Sequence, residues 1–132
     1  MRVLIISDIH ANFTALEAVL ADAASLDYEA VWCLGDLVGY GPQPNECIER
    51  VRGLRGLVCL VGNHDKAVLG ELDVNAFNHD ARAAIQWTGD TLTAENLAYL
   101  KALQPADEIG EFTLAHASPR QPIWEYILNR YI

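Results

Sequence analysis

Four stretches of this chain that read as β-strands each stop at a side chain able to bind a cation. Val3 to Ile6 runs into Ser7-Asp8-Ile9-His10, and Ala30 to Leu34 runs into Gly35-Asp36. Leu57 to Val61 meets Gly62-Asn63-His64-Asp65, and the alternating stretch Glu111 to His116 ends on an imidazole. The continuous aliphatic run Val3 to Ile6 marks a strand covered on both faces, and Ala30 to Leu34 reads as a second buried strand and Leu57 to Val61 as a third. Helical patterns lie between them. Leu16, Val19, Leu20 and Ala23 share one stripe, and Pro44 opens a segment that turns Cys47, Ile48 and Val51 inward. Two more helices are expected over residues 76–88 and 93–103, the second capped by Thr93 with Leu97 and Leu100 facing the core. Strands alternating with helices predict an α/β fold with a mostly parallel sheet flanked by helices. In such sheets the ligand crevice lies beyond the carboxyl ends of the strands, where all four polar groups fall.

Composition limits what that crevice can serve. The 132 residues are expected to form a single domain, residues 1–132, with 52% apolar and 20% charged residues, the balance of a globular chain. Eighteen Asp and Glu against nine Lys and Arg give a net charge of -9, which argues against a nucleic-acid-binding patch. An acidic chain can still act on a phosphate when bound cations reverse the sign locally. Cys33, Cys47 and Cys59 are odd in number and lack Cys-x-x-Cys spacing, so free thiols and a reducing compartment are expected. The apolar start, Met1 to Ile6, is too short for a signal peptide, and no run approaches the roughly 20 apolar residues of a membrane span. The expected location is cytoplasmic, with no membrane partner.

Each polar group has an ordinary explanation when taken alone. Asp8 or Asn12 could cap the following helix, Gly35-Asp36 and Gly62-Asn63 are common turn pairs, and His116 could be a satisfied core histidine. Four such explanations at one end of one sheet are harder to accept than a shared metal site, where a rigid scaffold gathers carboxylate, imidazole and amide ligands.

Taken together, the motifs resemble the calcineurin-like metallophosphoesterase family, over nearly the whole chain from Val3 to about Tyr126. "SDIHANFTALEAVL", "GDLVGYGPQPNEC", "GNHDKAV" and "LAHASPRQPIWEYI" are most similar to its small prokaryotic phosphodiesterase-like branch. The resemblance implies the N-terminal part of an α/β/β/α sandwich and two divalent ions bridged by Asp36, with Mn²⁺ first and Fe or Zn²⁺ as the other candidates. Asp8 and His10 would hold the first ion, and Asn63 and His116 the second. The implied reaction hydrolyses phosphomono- or phosphodiesters through a hydroxide between the ions. His64 would protonate the leaving alkoxide, and Asp65 would orient His64 and favour its protonated form.

The family ends its site with a Gly-His-x-His pair, and no histidine follows His116 here, so the chain reads as truncated, each ion lacking one imidazole. His79 is expected on a helix surface. A half sandwich would leave an apolar face near Trp124, Tyr126, Ile127 and Leu128, which predicts self-association. A shortened relative that binds metal and a nucleotide or protein, without turnover, is the alternative to an enzyme. A dinucleotide-binding fold lacks its Gly-x-Gly-x-x-Gly, and serine or cysteine hydrolases lack their nucleophile motifs. Among weaker candidates, Asn12 reads equally as a cap, Tyr40 as a loop aromatic and Arg120 as a solvated cation. Trp32, Trp87 and Trp124 read as core or interface packing.

Overall fold

The computed structural model describes all 132 residues. Strands β1 (Val3–Ile6), β2 (Ala30–Cys33) and β3 (Val58–Cys59) form a parallel sheet in that order, with Val3 opposite Ala30 and Cys33 opposite Cys59. Leu60 continues the sheet through a parallel bridge to Gln104. Helices α1 (Phe13–Ala23) and α2 (Pro44–Arg52) fill the two crossovers, Pro44 sitting in the first turn of α2 where its missing N–H costs nothing. A short helix α3 (Asn63–Val68) follows β3 directly, and α4 (His79–Thr91) and α5 (Ala94–Ala102) complete the helical part. Asn12, Asn78 and Thr93 cap α1, α4 and α5 by accepting from the N–H three residues on.

The two sides of each strand meet different partners, because successive side chains point to opposite faces. Ile6, Val31 and Cys33 pack against Leu16 and Leu20 of α1, Cys47, Ile48 and Val51 of α2 and Leu100 of α5. On the other face Trp32 and Leu60 pack against Leu114.

Three expectations need correction. The stretch Glu111 to His116 is not a fourth parallel strand. Its core, β5 (Phe112–Ala115), pairs antiparallel with β4 (Ala106–Ile109) around a turn at Gly110, as a separate two-stranded hairpin. Strand β4 escaped notice because Asp107 and Glu108 occupy it; both are exposed, so their charges cost no desolvation. Second, β1 is not covered on both faces. It is the edge of the sheet, and the hairpin shields Trp32 and Leu60 while Ile5 stays 55% exposed. Third, Trp87 is an exposed residue of α4, whereas Trp32 is buried and Trp124 packs on Phe77. His79 is the first residue of α4 and exposed, as expected.

Ile48 lies fully buried in the core, whereas Val19 on α1 is 47% exposed. Ile48→Ala should lower unfolding free energy by about 2–5 kcal/mol. Val19→Ala should change it by about 0.5 kcal/mol or less. Denaturant unfolding curves of both variants check the pair.

Candidate metal centre

The strand ends deliver their groups by a strained route. Asp8, His10, Ala11, Asp36 and Tyr40 all adopt positive φ, between 50° and 61°, although none is glycine. Such left-handed conformations are uncommon for residues with a Cβ and cluster where a site over-determines the backbone. Here the β1–β2 ladder continues past the strands. The N–H groups of Asp8, His10 and Ala11 donate to the carbonyls of Gly35, Asp36 and Leu37 at 2.8–2.9 Å. The chain therefore turns both loops together and presents their side chains to one rim.

Asp36 is the centre of that rim. Its side chain is almost fully buried, and its Oδ1 accepts the His64 N–H at 3.0 Å. Its Oδ2 faces His10 Nε2 at 3.5 Å and His116 Nε2 at 3.6 Å. His10 Nε2 also lies 3.6 Å from Asp8 Oδ1, and His116 Nε2 lies 3.1 Å from Asn63 Oδ1. Gly62 must be a glycine for this to fit, since a Cβ there would stand 2.0 Å from Asp36 Oδ1.

The remaining ring nitrogens fix which atoms are free. His10 Nδ1 donates to the Val38 carbonyl at 3.1 Å, and His116 Nδ1 donates to the Leu34 carbonyl at 2.8 Å. Both Nε2 atoms then offer lone pairs to the rim, the arrangement metal-binding imidazoles adopt. One of these lone pairs meets the Asn63 Oδ1 lone pair, a contact that requires a proton or a cation between them. The donor set of carboxylate, imidazole and amide suits a divalent transition ion, and its geometry fits one.

Six of the seven sequence-derived candidates converge on this rim: Asp8, His10, Asp36, Asn63, His64 and His116. Their grouping differs somewhat from the expected one. Ligand atoms of Asp8, Asp36 and His116 lie within 4.8 Å of one another, and so do those of His10, Asp36 and His64. Asp36 belongs to both groups.

The seventh, Asp65, is the correction. Its carboxylate makes no hydrogen bond to the His64 ring. Its Oδ1 accepts the Val38 N–H at 3.1 Å and its Oδ2 the Gly62 N–H at 2.9 Å, so it ties the loop after β2 to the start of α3. Sequence adjacency misled because α3 begins at Asn63, and neighbouring residues on a helix point in different directions. His64 Nδ1 is buried without a hydrogen-bond partner, against Gly39.

The electrostatics follow from burial and crowding. His10 and Ser7 beside Asp8 hold its carboxyl down to about 2, the first by hydrogen bonding. Burial alone would lower His10, but Asp8 and Asp36 raise it above the ordinary imidazole value. Burial pushes Asp36 and Asp65 upward, and for Asp65 the charge of Asp36 adds to it. Burial, reinforced by His10, takes His64 down to about 4, opposite to the protonated form that pairing with Asp65 would have favoured.

Several participants carried no sequence signal. The orienting acceptors are main-chain carbonyls of Leu34 and Val38, which any residue supplies. Phe77, beyond the expected motifs, stacks on His64 at 5.0 Å between ring centroids. Among the weaker candidates, Asn12 is a helix cap and Arg120 pairs with Glu125.

Asp65→Ala would leave two buried N–H groups without acceptors. At about 1–3 kcal/mol for each unsatisfied group, it should cost at least about 2 kcal/mol of stability. Asp65→Asn keeps one acceptor oxygen and should cost less. Thermal unfolding of both variants tests whether Asp65 is a clamp.

Comparison with known proteins agrees with this geometry. The family model described as calcineurin-like phosphoesterase matches residues 1–128. A protein of Methanocaldococcus jannaschii is 43% identical over 97% of this chain and 54% of its own length. A symmetrical bis(5'-nucleosyl)-tetraphosphatase of Glaesserella parasuis is 31% identical over 95% of this chain and 47% of its own. The crystal structure of a metallophosphoesterase from Sphaerobacter thermophilus superposes with a TM-score of 0.82 at 52% identity, covering 96% of this chain and 51% of that one. The chain thus spans about half the length of the relatives it matches. A family match over almost every residue, on a fold whose strand ends gather those ligands, makes this chain a member of the calcineurin-like phosphoesterase family.

Proposed function

We propose that the chain carries a two-metal phosphoesterase centre acting on small phosphate compounds. The observation that carries the reading is Asp36 Oδ2, which faces both His10 Nε2 and His116 Nε2 at 3.5 and 3.6 Å. One buried carboxylate oxygen between two imidazoles is what a pair of neighbouring cations needs from a scaffold. Asp8 and His10 would complete one ion's ligands, and Asn63 and His116 the other's; the donors suit Mn²⁺, Fe or Zn²⁺, and the family resemblance puts Mn²⁺ first. Such ions, when bound, supply the charge that neutralises a phosphoryl group and the acidity that makes water a nucleophile near neutral pH.

The side chains have separate tasks. Asp36 holds the two ligand groups at a fixed spacing, since its other oxygen is tied to the His64 N–H. The carbonyls of Val38 and Leu34 keep the His10 and His116 lone pairs turned toward the rim. We assign to His64 the movement of a proton at the leaving oxygen, and to Asp65 the fixing of the backbone beneath it. The named activity of the Glaesserella parasuis relative suggests a substrate of the nucleoside polyphosphate class.

No helix is long and apolar enough to cross a membrane. The three free cysteines fit a reducing compartment, so the cytoplasm is the proposed location. Exposed Ile5, Phe112, Ile127 and Leu128 make self-association the proposed state of this chain alone. Sedimentation at micromolar concentration should then show dimers or larger species, and a clean monomer would contradict it.

Hydrolysis of p-nitrophenyl phosphate esters tests the activity. With Mn²⁺ the wild type should turn over, and chelator or Asp36→Ala should lower the rate at least about a hundredfold. Asp36→Asn, checked by circular dichroism for folding, guards against a merely structural loss. Elemental analysis should find two ions per chain. Metal bound without hydrolysis would mark the binding scaffold instead of the enzyme.

A further inference from the structure

Tyr40 is a bulky aromatic at φ 61°, a conformation that glycine or asparagine adopts with less strain. Backbone strain of this kind persists where a site demands it. The ring is half exposed, and it lies against His10 at 5.1 Å and His64 at 4.9 Å between centroids. Its loop is pinned close to the site, because a Cβ on neighbouring Gly39 would come within 2.9 Å of His64 Nδ1. Tyr40 thus borders the ligand group of His10, Asp36 and His64.

The other ligand group, Asp8, Asp36 and His116, has an exposed tyrosine too. A hollow of about 300 Å³ is lined by Asp8 and His116 together with Ile123, Tyr126 and Ile127, and Tyr126 is 63% exposed. The segment that carries Tyr126 is tied down. Ala117 N–H donates to the Pro122 carbonyl at 2.7 Å, and Glu125 accepts from both Ser118 and Arg120. Trp124 stacks on Phe77 at 5.2 Å, and Phe77 stacks on His64. Tyr40 therefore borders His10 and His64, and Tyr126 lines a hollow with Asp8 and His116, each on otherwise well-bonded chain.

We propose that Tyr40 and Tyr126 are specificity-determining residues, stacking platforms that select phosphate compounds bearing planar groups, such as the two bases of a dinucleoside polyphosphate. The idea rests on the phosphoesterase reading for its substrate class. Stacking suits an acidic chain, since a ring binds the uncharged base without adding repulsion toward the phosphates, and every base has a face to offer. An exposed tyrosine does this at low entropic cost, with few side-chain torsions to fix.

The test measures binding, so that it does not depend on turnover. The full chain loaded with Mn²⁺ is titrated with methylene-bridged diadenosine tetraphosphate, which resists hydrolysis, and with inorganic tripolyphosphate, which lacks bases. Wild type should prefer the dinucleotide, and Tyr40→Ala and Tyr126→Ala should each reduce that preference about fivefold or more. Tyr40→Phe and Tyr126→Phe should keep it. Tyr131→Ala, at an exposed tyrosine outside both ligand groups, should match wild type. No preference in wild type, or an unchanged preference in both alanine variants, overturns the proposal. If circular dichroism shows Tyr40→Ala unfolded, Tyr126→Ala decides. A chain that cleaves aryl esters yet ignores bases would sink this proposal alone. A chain that prefers bases yet cleaves nothing would sink the phosphoesterase reading alone.

Discussion

The buried carboxylate of Asp36 is the constraint around which the rest of the molecule is arranged. A carboxylate taken out of water is costly unless its oxygens are satisfied. One oxygen is bonded to the His64 N–H, while the other is left facing two imidazole lone pairs. Such an oxygen, with Asp8 nearby adding a second negative charge, needs either a proton or a cation beside it. Burial raises Asp36 toward its neutral form, and a divalent cation reverses that tendency outright. The sheet, the strained turns and the glycine at position 62 can all be understood as means of keeping this one group where it is.

Those means have an energetic cost that is met locally. Five residues with positive φ at about 1–3 kcal/mol each would be a heavy load for a chain of this size. The load is offset because the strained residues extend a parallel ladder. His10 bonds Asp36 and Ala11 bonds Leu37, while the Gly41 and Gln43 N–H groups return to the His10 and Ala11 carbonyls. Strain and hydrogen bonding thus belong to the same two loops. Asp65 then links these loops to α3, which is why a residue beside His64 in sequence acts on stability and not on the imidazole.

Much of this was legible in the sequence, for reasons that differ by feature. The parallel strands could be read because Val3–Ile6 and Ala30–Cys33 are apolar through their length, and their ends could be read because the polar groups follow at once. Convergence of Asp8, His10, Asp36 and Asn63 followed from topology, since parallel strands put their carboxyl ends on one side. What stayed hidden depends on groups that have no sequence identity. Main-chain carbonyls of Leu34 and Val38 orient the histidines, and backbone N–H groups claim Asp65. The β4–β5 hairpin was hidden because exposed Asp107 and Glu108 break the strand pattern, although His116 depends on it. That histidine enters the site from outside the parallel sheet, its N–H bonded to the Pro105 carbonyl.

The proposed activity raises the question of how a chain with net charge -9 would favour a polyanionic substrate. Several side-chain cations are already paired with carboxylates, Arg120 with Glu125, Arg50 with Glu17 and Arg52 with Glu95. On the proposed reading the attraction would come from ions held at the rim, over a range that the Debye length limits to about 8 Å at physiological salt. Beyond that range the protein's own charge repels phosphates. A long polyphosphate therefore gains most at its cleavage point and little along its flanks, unless its ends find contacts that charge does not govern. Aromatic faces are contacts of that kind. Two of the exposed aromatics, Tyr40 and Tyr126, border the candidate metal-binding residues, where on the proposed reading the attraction of ions and the stacking of a base would act on the same substrate.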